Sequence, residues 1–478
     1  MIGVAALAVL VVIWVAREGP KPVVAMKSDK SIAVLPFLDL SEAKDQEYFA
    51  DGLAEELLDV LVSVPGLRVI GRTSSFQFKN KNEDVRSIGT QLDAAYVVEG
   101  SVRRDRNLVR VAAQLIRAAD GVHQWSGTYD RHVEDTLRLE SELAMALGRA
   151  LQLSVDSNSN LNRLKTDNGD ANDHYLRGLH ALDAHTSSET DDAVNQCEAA
   201  LALDPQFASA AVALGRAHYV QAAFSFVPPA TAFPQVREDA LHALKLDPRS
   251  ATAHSLLARV ATLYAWDWNE ASRESERALA LEPQSSFALY AAGDLASVLG
   301  DSERAERLFR AALVSDPLNP ETHYMLALVL PGRGQVDEAE MEARRLLSIS
   351  PAYVGGHYLL AGFLMGKTGE QAVVECQRET SDGGQLPCLA QAYYALGRMN
   401  EADSSLKEAI QAHGSDQAYF IASAFASSGQ SDRAFEWLNR AYSNRDPVLQ
   451  YIKTSPEFES LKGDSRFKAL LRQMNLPE

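Results

Sequence analysis

Short apolar runs in the first third of the chain predict a small α/β domain with a mixed sheet, at about residues 31–155. Runs of roughly four to eight apolar residues bounded by turn residues are typical of strands, and helical spacing from Glu47 to Val64 indicates a helix. Further helices are predicted at 83–92 and 134–153, and Asp105 to Asn107 supply a hairpin turn. The predicted strands cover 31–37, 67–70, 95–102, 109–116 and 123–129.

From residue 172 to residue 442 the pattern changes to amphipathic helices that recur with a nearly constant period. A proline preceded by an acidic or small residue marks the end of each unit, and the later intervals are 34 or 35 residues. That is the period of tetratricopeptide repeats, in which two antiparallel helices form one unit. The marker pairs are Asp204-Pro205, Asp247-Pro248, Glu282-Pro283, Asp316-Pro317 and Ser350-Pro351.

The periodicity predicts an all-α superhelical solenoid of about seven units. The first interval is 43 residues, and the excess is interpreted as a longer loop at 224–234. Residues 443–478 are predicted to form a helical cap on the last apolar face. The first helices of successive units should line a concave groove that binds a protein or peptide partner. The residues predicted to point into that groove are Leu256, Tyr264, Tyr290, Asp294 and Tyr324.

The stretch from Ile2 to Ala16 is apolar and uncharged, which predicts a transmembrane helix or signal anchor at 1–17, followed by a linker at 18–30. It falls just short of the ~20 residues that span a hydrocarbon core. A cleaved signal peptide is the main alternative, but no basic residue precedes the apolar run. Basic residues follow it, and the positive-inside rule would keep that side in the cytoplasm.

Several segments of the α/β part together resemble the TolB-like (FlgO-like) domain of bacterial envelope proteins. They are AVLPFLDLS, EYFADGLAEELLDVL, GLRVIGRTSSF, YVVEGSVRR and VRVAAQLIRAADGVHQWSGTYDR. The resemblance implies an envelope module tethered to the inner membrane, with the bulk of the chain periplasmic, and followed by tetratricopeptide repeats. It is similar to the periplasmic part of CadC-like transcription regulators and of some membrane-bound adenylate cyclases. In those relatives a cytoplasmic output domain precedes the membrane helix.

Composition and charge argue against two classes of function, nucleic-acid binding and zinc binding. The formal net charge of -18 disfavours nucleic acid, because affinity for DNA depends largely on neutralising phosphates. Cys197, Cys376 and Cys388 are too few and too scattered for a zinc site, and we interpret them as packing residues. A Cys376–Cys388 bridge stays open as an alternative in an oxidising compartment.

No motif in the sequence supports catalysis or cofactor binding. Residues 361–368, AGFLMGKT, loosely match a phosphate-binding loop, but they lie in a predicted helix without a preceding strand. His323 and His357 recur at the same repeat position, which indicates packing and no metal. We therefore predict neither an enzyme nor a binder of cofactors, metals or small-molecule substrates.

The sequence thus predicts a membrane-anchored envelope protein that acts as a non-catalytic scaffold or sensor for a protein partner. The alternative is the sensory half of a CadC-like regulator or adenylate cyclase whose output domain is lost or encoded upstream.

Overall fold

The computed structural model describes residues 30–62, 64–132, 139–153, 166–182, 186–224, 226–415 and 417–477. The predicted membrane segment, 1–17, lies outside these ranges. Among the helices within them, none combines the length and the apolar character that a membrane span requires.

The first domain is built on a mixed six-stranded sheet. The strand order is β3-β1-β4-β5-β6, and β2 also pairs with β4. Pairing is parallel among β1, β2, β3 and β4, and antiparallel from β4 to β6. The strands are β1 (Ser31–Val34), β2 (Leu38–Asp39), β3 (Arg68–Val69), β4 (Tyr96–Asp105), β5 (Leu108–Arg117) and β6 (Val122–His132). The helices are α1 (Glu47–Val62), α2 (Arg72–Phe76), α3 (Val85–Gln91) and α4 (Leu139–Ala150).

Strand β1 forms the centre of this domain because all four of its residues are buried. Ile32 and Val34 pack with α1 and α4 on one side of the sheet, whereas Ala33 packs with α3 on the other. A strand covered on both sides is expected to be mainly apolar, and β1 is apolar after its first residue, Ser31. The prediction of a small mixed sheet followed by a helical array is confirmed.

In the part of the chain that the structure describes, the array consists of eight helical hairpins, one more than the sequence pattern indicated. They are numbered here in chain order. Each pairs a first helix with a second one that runs back along it. Hairpins 1 to 4 are α5 (Gly169–Ala181) with α6 (Ser187–Leu203), α7 (Ala208–Ala223) with α8 (Pro229–Leu246), α9 (Ala251–Val260) with α10 (Trp268–Leu281), and α11 (Ser286–Leu299) with α12 (Ser302–Ser315). Hairpins 5 to 8 are α13 (Pro320–Val329) with α14 (Val336–Ile349), α15 (Gly356–Met365) with α16 (Gly369–Arg378), α17 (Asp382–Ala395) with α18 (Met399–His413), and α19 (Ala418–Ser427) with α20 (Ser431–Ser443).

Hairpin 4 shows how the sequence specifies a unit. The Asp301 side chain accepts from the backbone N–H of Arg304 and caps α12, while Gly300 takes a φ of 87° in the turn before it. A Cβ on Gly293 would lie 2.8 Å from the ring of Phe309. The missing side chain therefore lets the two helices approach closely enough to bury Phe309 completely.

The interpretation of residues 224–234 as a longer loop is wrong in part. Helix α8 already begins at Pro229, and it includes Pro234. Pro229 is tolerated because it stands at the first helical position, where its missing N–H has no intrahelical acceptor. Pro234 lies inside the helix, where it removes the bond that an N–H would make to the Ala230 carbonyl. The extra residues of hairpin 2 therefore lengthen its second helix to 18 residues, compared with 14 in α12.

The first domain contacts hairpins 1, 2 and 4 of the array. The Asp316 carboxylate accepts the Ser74 backbone N–H at 2.8 Å, and Gly71 donates its N–H to the Ser315 carbonyl at 2.6 Å. At the other end of the interface, Arg216 of α7 forms a salt bridge of 3.1 Å with Glu55 of α1. These polar contacts join the two parts of the chain.

Candidate functional site

A buried polar network lies on the face formed by the first helices of the hairpins. We call it the concave face, because stacked helical hairpins curve to form such a surface. Arg259 of α9 forms an ion pair with Asp294 of α11, and its Nε donates to the Tyr219 hydroxyl at 2.9 Å. The guanidinium also lies 4.9 Å from the ring centroid of Tyr290. Burial raises the pKa of the Asp294 carboxyl, while Arg259 and a hydrogen bond from Tyr451 oppose that rise. The charge pair thus links hairpins 3 and 4, and the hydrogen bond to Tyr219 adds hairpin 2.

The C-terminal segment covers the concave face at this point. We define it as residues 449–476, which form two 3-10 turns (Leu449–Lys453 and Pro456–Leu461) and the helix α21 (Ser465–Gln473). The Tyr451 hydroxyl donates to Asp294, and Lys453 Nζ donates to the Leu299 carbonyl at 3.2 Å. Trp268 Nε1 donates to the Met474 carbonyl at 3.1 Å. The end of the chain therefore packs against hairpins 3 and 4 as well as against hairpin 8, with which Phe458 and Phe467 share a core.

The predicted groove residues all lie on first helices or directly after one, but their accessibility differs. Leu256 and Asp294 are 0% exposed and Tyr290 is 5% exposed. Tyr264 is half-buried and stacks on Phe233, and Tyr324 is also half-buried. Three of the five predicted residues are therefore not accessible to a partner in this structure. Leu256 belongs to the core between the hairpins, while Asp294 is bonded to the C-terminal segment.

A tyrosine-lined part of the concave face remains accessible beside the network. The rings of Tyr324 and Tyr353 lie 5.7 Å apart, and both residues are half-buried. The Glu321 side chain is 45% exposed and lies 3.9 Å from Arg259. Burial raises the pKa of Tyr324, and the charge of Glu457 contributes to the rise. We call Glu321, Tyr324, Tyr353 and Glu457 the tyrosine–acid patch.

The chemistry of the tyrosine–acid patch favours a positively charged group. One carboxylate oxygen of Glu457 is buried without a hydrogen-bond partner among the described residues, and burial raises the pKa of this carboxyl. Aromatic faces attract cations, and a carboxylate adds a full negative charge. Sequence reasoning missed Arg259, Tyr353 and Glu457, although a tyrosine on several successive first helices was a signal that could have suggested the aromatic lining.

The recurring histidines have a structural role within the hairpins. In four hairpins, a histidine of the first helix contacts a carboxylate of the second helix at 2.6 or 2.7 Å. The pairs are His218–Asp239, His254–Glu274, His323–Glu342 and His357–Glu375. No group of three or more metal-ligating side chains occurs in the ranges that the structure covers.

Two of the three cysteines form a disulfide. Cys376 of α16 and Cys388 of α17 are bonded, and their Cα atoms are 5.4 Å apart. Cys197 is free and buried in the core of hairpin 1, where burial raises the pKa of its thiol to about 12. The interpretation of Cys376 and Cys388 as packing residues alone is therefore wrong, and the bridged alternative matches the structure.

Two segments of the array match tetratricopeptide repeats. Residues 290–354 and residues 389–412 match families described as tetratricopeptide repeat. Over 330 residues the chain is 32% identical to a protein named putative adenylate cyclase 3 from Rhizobium meliloti (strain 1021). The match covers 68% of this chain and 45% of that relative, so the chain spans less than half of the relative's length.

Solved structures of helical-repeat proteins resemble the array at low identity. PilF of Pseudomonas aeruginosa is 19% identical, with a TM-score of 0.35, covering 43% of this chain and 92% of that chain. A tetratricopeptide repeat protein from Parabacteroides merdae is 17% identical, with a TM-score of 0.38, covering 55% and 100%. Human IFIT1 is 15% identical, with a TM-score of 0.41, covering 64% and 77%. The likeness concerns the repeat fold alone.

Proposed function

We propose that this chain is a non-catalytic scaffold or sensor of the bacterial envelope that binds a protein partner on the concave face of its array. The observation that carries the proposal is that this face already holds a stretch of polypeptide. Tyr451 and Lys453 of the C-terminal segment bond to Asp294 and to the Leu299 carbonyl there. A surface that binds one segment of polypeptide through buried polar contacts has the chemistry to bind another.

The tyrosine–acid patch is the proposed contact point for the partner. Its aromatic rings offer apolar area, and the exposed Glu321 carboxylate offers negative charge. The buried, unpartnered oxygen of Glu457 offers a hydrogen-bond acceptor. A partner segment that presents an arginine or lysine beside apolar residues would match both features. The net charge of -18 favours a basic partner in the same way, since it accelerates the approach of positive surfaces.

The test is capture of partners from detergent-solubilised envelopes by the full chain and by two charge-reversal variants. We expect Glu321→Lys to reduce capture of a specific partner at least about tenfold, which corresponds to a loss of ~1.4 kcal/mol in binding free energy. Glu303→Lys is the matched control, because Glu303 lies on the second helix α12 and its side chain is 61% exposed. Equal capture by both variants, or no specific partner for the unaltered chain, would contradict the proposal.

We also propose that the chain is anchored in the inner membrane by residues 1–17, with its folded part in the periplasm. The apolar stretch and the resemblance to TolB-like domains support this location. The Cys376–Cys388 disulfide supports it too, because such bonds persist in oxidising compartments and are rare in the cytosol. The basic residues after the apolar stretch favour the opposite orientation. A phosphatase reporter fused after Glu478 should be active, and an inactive one in a stable fusion would refute the periplasmic location.

The name of the relative favours a second candidate function, namely the regulatory half of an adenylate cyclase. The chain matches 45% of that protein, so the matched part and any catalytic part can be separate. The reading frame upstream of Met1 should then encode a cyclase domain. As a second check, cells that express the frame extended upstream of Met1 should produce cyclic AMP, whereas cells that express this chain alone should not. Cyclic AMP made by this chain alone would contradict both candidate functions.

A further inference from the structure

The outer edge of the first domain's sheet has the features of an interaction surface. Strand β6 ends the strand order, and no strand of the described residues pairs with its other side. It is 11 residues long and has no buried side chain. Proteins usually protect such edges with proline, charged side chains (lysine above all), bulges or short length. The sequence VHQWSGTYDRH contains neither proline nor lysine, and its charged residues Asp130 and Arg131 form ion pairs with Arg110 and Glu142 of the same chain. The bulge lies opposite Leu115 and Ile116, near the start of β6.

The ladder pattern shows which backbone groups of β6 face outward. The N–H of Ala118, directly after β5, donates to the Ala95 carbonyl at 2.9 Å, so even-numbered residues of β5 bond to β4. Successive residues of a strand direct their backbone groups to opposite sides, so odd-numbered residues of β5 bond to β6. Their partners there are Trp125, Gly127, Tyr129 and Arg131. The residues with outward N–H and C=O groups are Ser126, Thr128, Asp130 and His132, all with exposed side chains.

We propose that two copies of this chain associate by antiparallel pairing of β6 with β6, which joins their sheets into one. A two-fold axis at Tyr129 sets Thr128 opposite Asp130 of the second copy and Ser126 opposite His132. Each residue with outward N–H and C=O groups after the bulge then lies opposite another such residue of the second copy, as an antiparallel ladder requires.

The side chains fit this register. The Thr128 hydroxyl faces the Asp130 carboxylate of the second copy, to which it can donate, and Arg131 faces Gly127. No two like charges stand opposite each other, an arrangement that would destabilise a ladder. The edge is therefore complementary to itself, which identifies the occupant as a second copy in preference to an unrelated strand.

The first test is the mass of the purified full chain by light scattering. The unaltered chain and Thr128→Ala should have twice the chain mass at micromolar concentration, whereas Thr128→Pro should have the mass of one chain. Proline at this position removes only an outward N–H, which an edge strand tolerates. A single-chain mass for the unaltered protein, or a dimer that persists in a folded Thr128→Pro variant, would overturn the proposal.

The second test is cross-linking, which does not depend on whether the proline variant folds. Thr128→Cys mixed with Asp130→Cys should give a disulfide-linked dimer under mild oxidation, and neither variant alone should give one. Cross-linking through the native cysteines should be low, because Cys197 is buried and Cys376 and Cys388 are already bonded to each other. No cross-link in the mixture, or equal cross-linking by one variant alone, would refute the register.

Discussion

Replacement of Asp294 by asparagine tests how the concave face is held together. The change keeps the shape of the side chain but removes the charge that faces Arg259, which is only 4% exposed. Breaking a buried ion pair by neutralising one partner costs about 3–5 kcal/mol, because the other charge stays buried without compensation. We therefore expect a loss of this size in the free energy of unfolding, measured by urea denaturation.

The same perturbation should loosen the C-terminal segment. Tyr451 donates to Asp294, so the weakened network should allow the segment to open more often. Hydrogen exchange of the backbone amides in residues 449–476 should accelerate more than exchange in hairpins 6 and 7, which lie away from the network. This local readout separates loss of the contact from general destabilisation.

A double variant provides the control. Arg259→Met combined with Asp294→Leu removes both charges and should recover most of the lost stability, since apolar replacement of a buried pair is often neutral or stabilising. A loss below about 1 kcal/mol for Asp294→Asn, or no recovery in the double variant, would show that the pair does not stabilise the array as its burial implies.

Three further changes have expected outcomes. Phe309→Ala should lower the free energy of unfolding by about 3–5 kcal/mol, because the ring is fully buried, and thermal unfolding measures the loss. Burial acts to raise the pKa of the Glu342 carboxyl, but the hydrogen bond from His323 outweighs burial and the pKa is lowered. Glu342 therefore stabilises the fold above the pKa that it has in the unfolded chain, and this stabilisation is lost as the pH falls through its pKa in the folded chain. Glu342→Gln should therefore lose less stability than the unaltered chain between about pH 5 and pH 3, followed by circular dichroism. Reduction of the Cys376–Cys388 bond should cost about 2–3 kcal/mol, whereas a Cys388→Ser variant should be insensitive to reductant.

Much of the local structure is encoded in the sequence pattern alone. The turn at Asp105 to Asn107 joins β4 and β5 as predicted, and Arg106 takes the left-handed φ of 53°. The periodic prolines mark the ends of the second helices in the array, for example Asp316 and Pro317 directly after α12. These features depend on spacing and on turn chemistry, which act over a few residues and are therefore visible without a structure.

The candidate site depended on contacts that no local pattern reports. Tyr451 and Asp294 are separated by 157 positions, and Ser74 and Asp316 by 242. Which segments meet at such distances is decided by the curvature of the stacked hairpins and by the docking of the first domain, because small rotations between neighbouring units add up along the array. The sequence therefore determined the helices, the strands and the repeat, while the tertiary structure decided which groove residues are covered and which remain open to a partner.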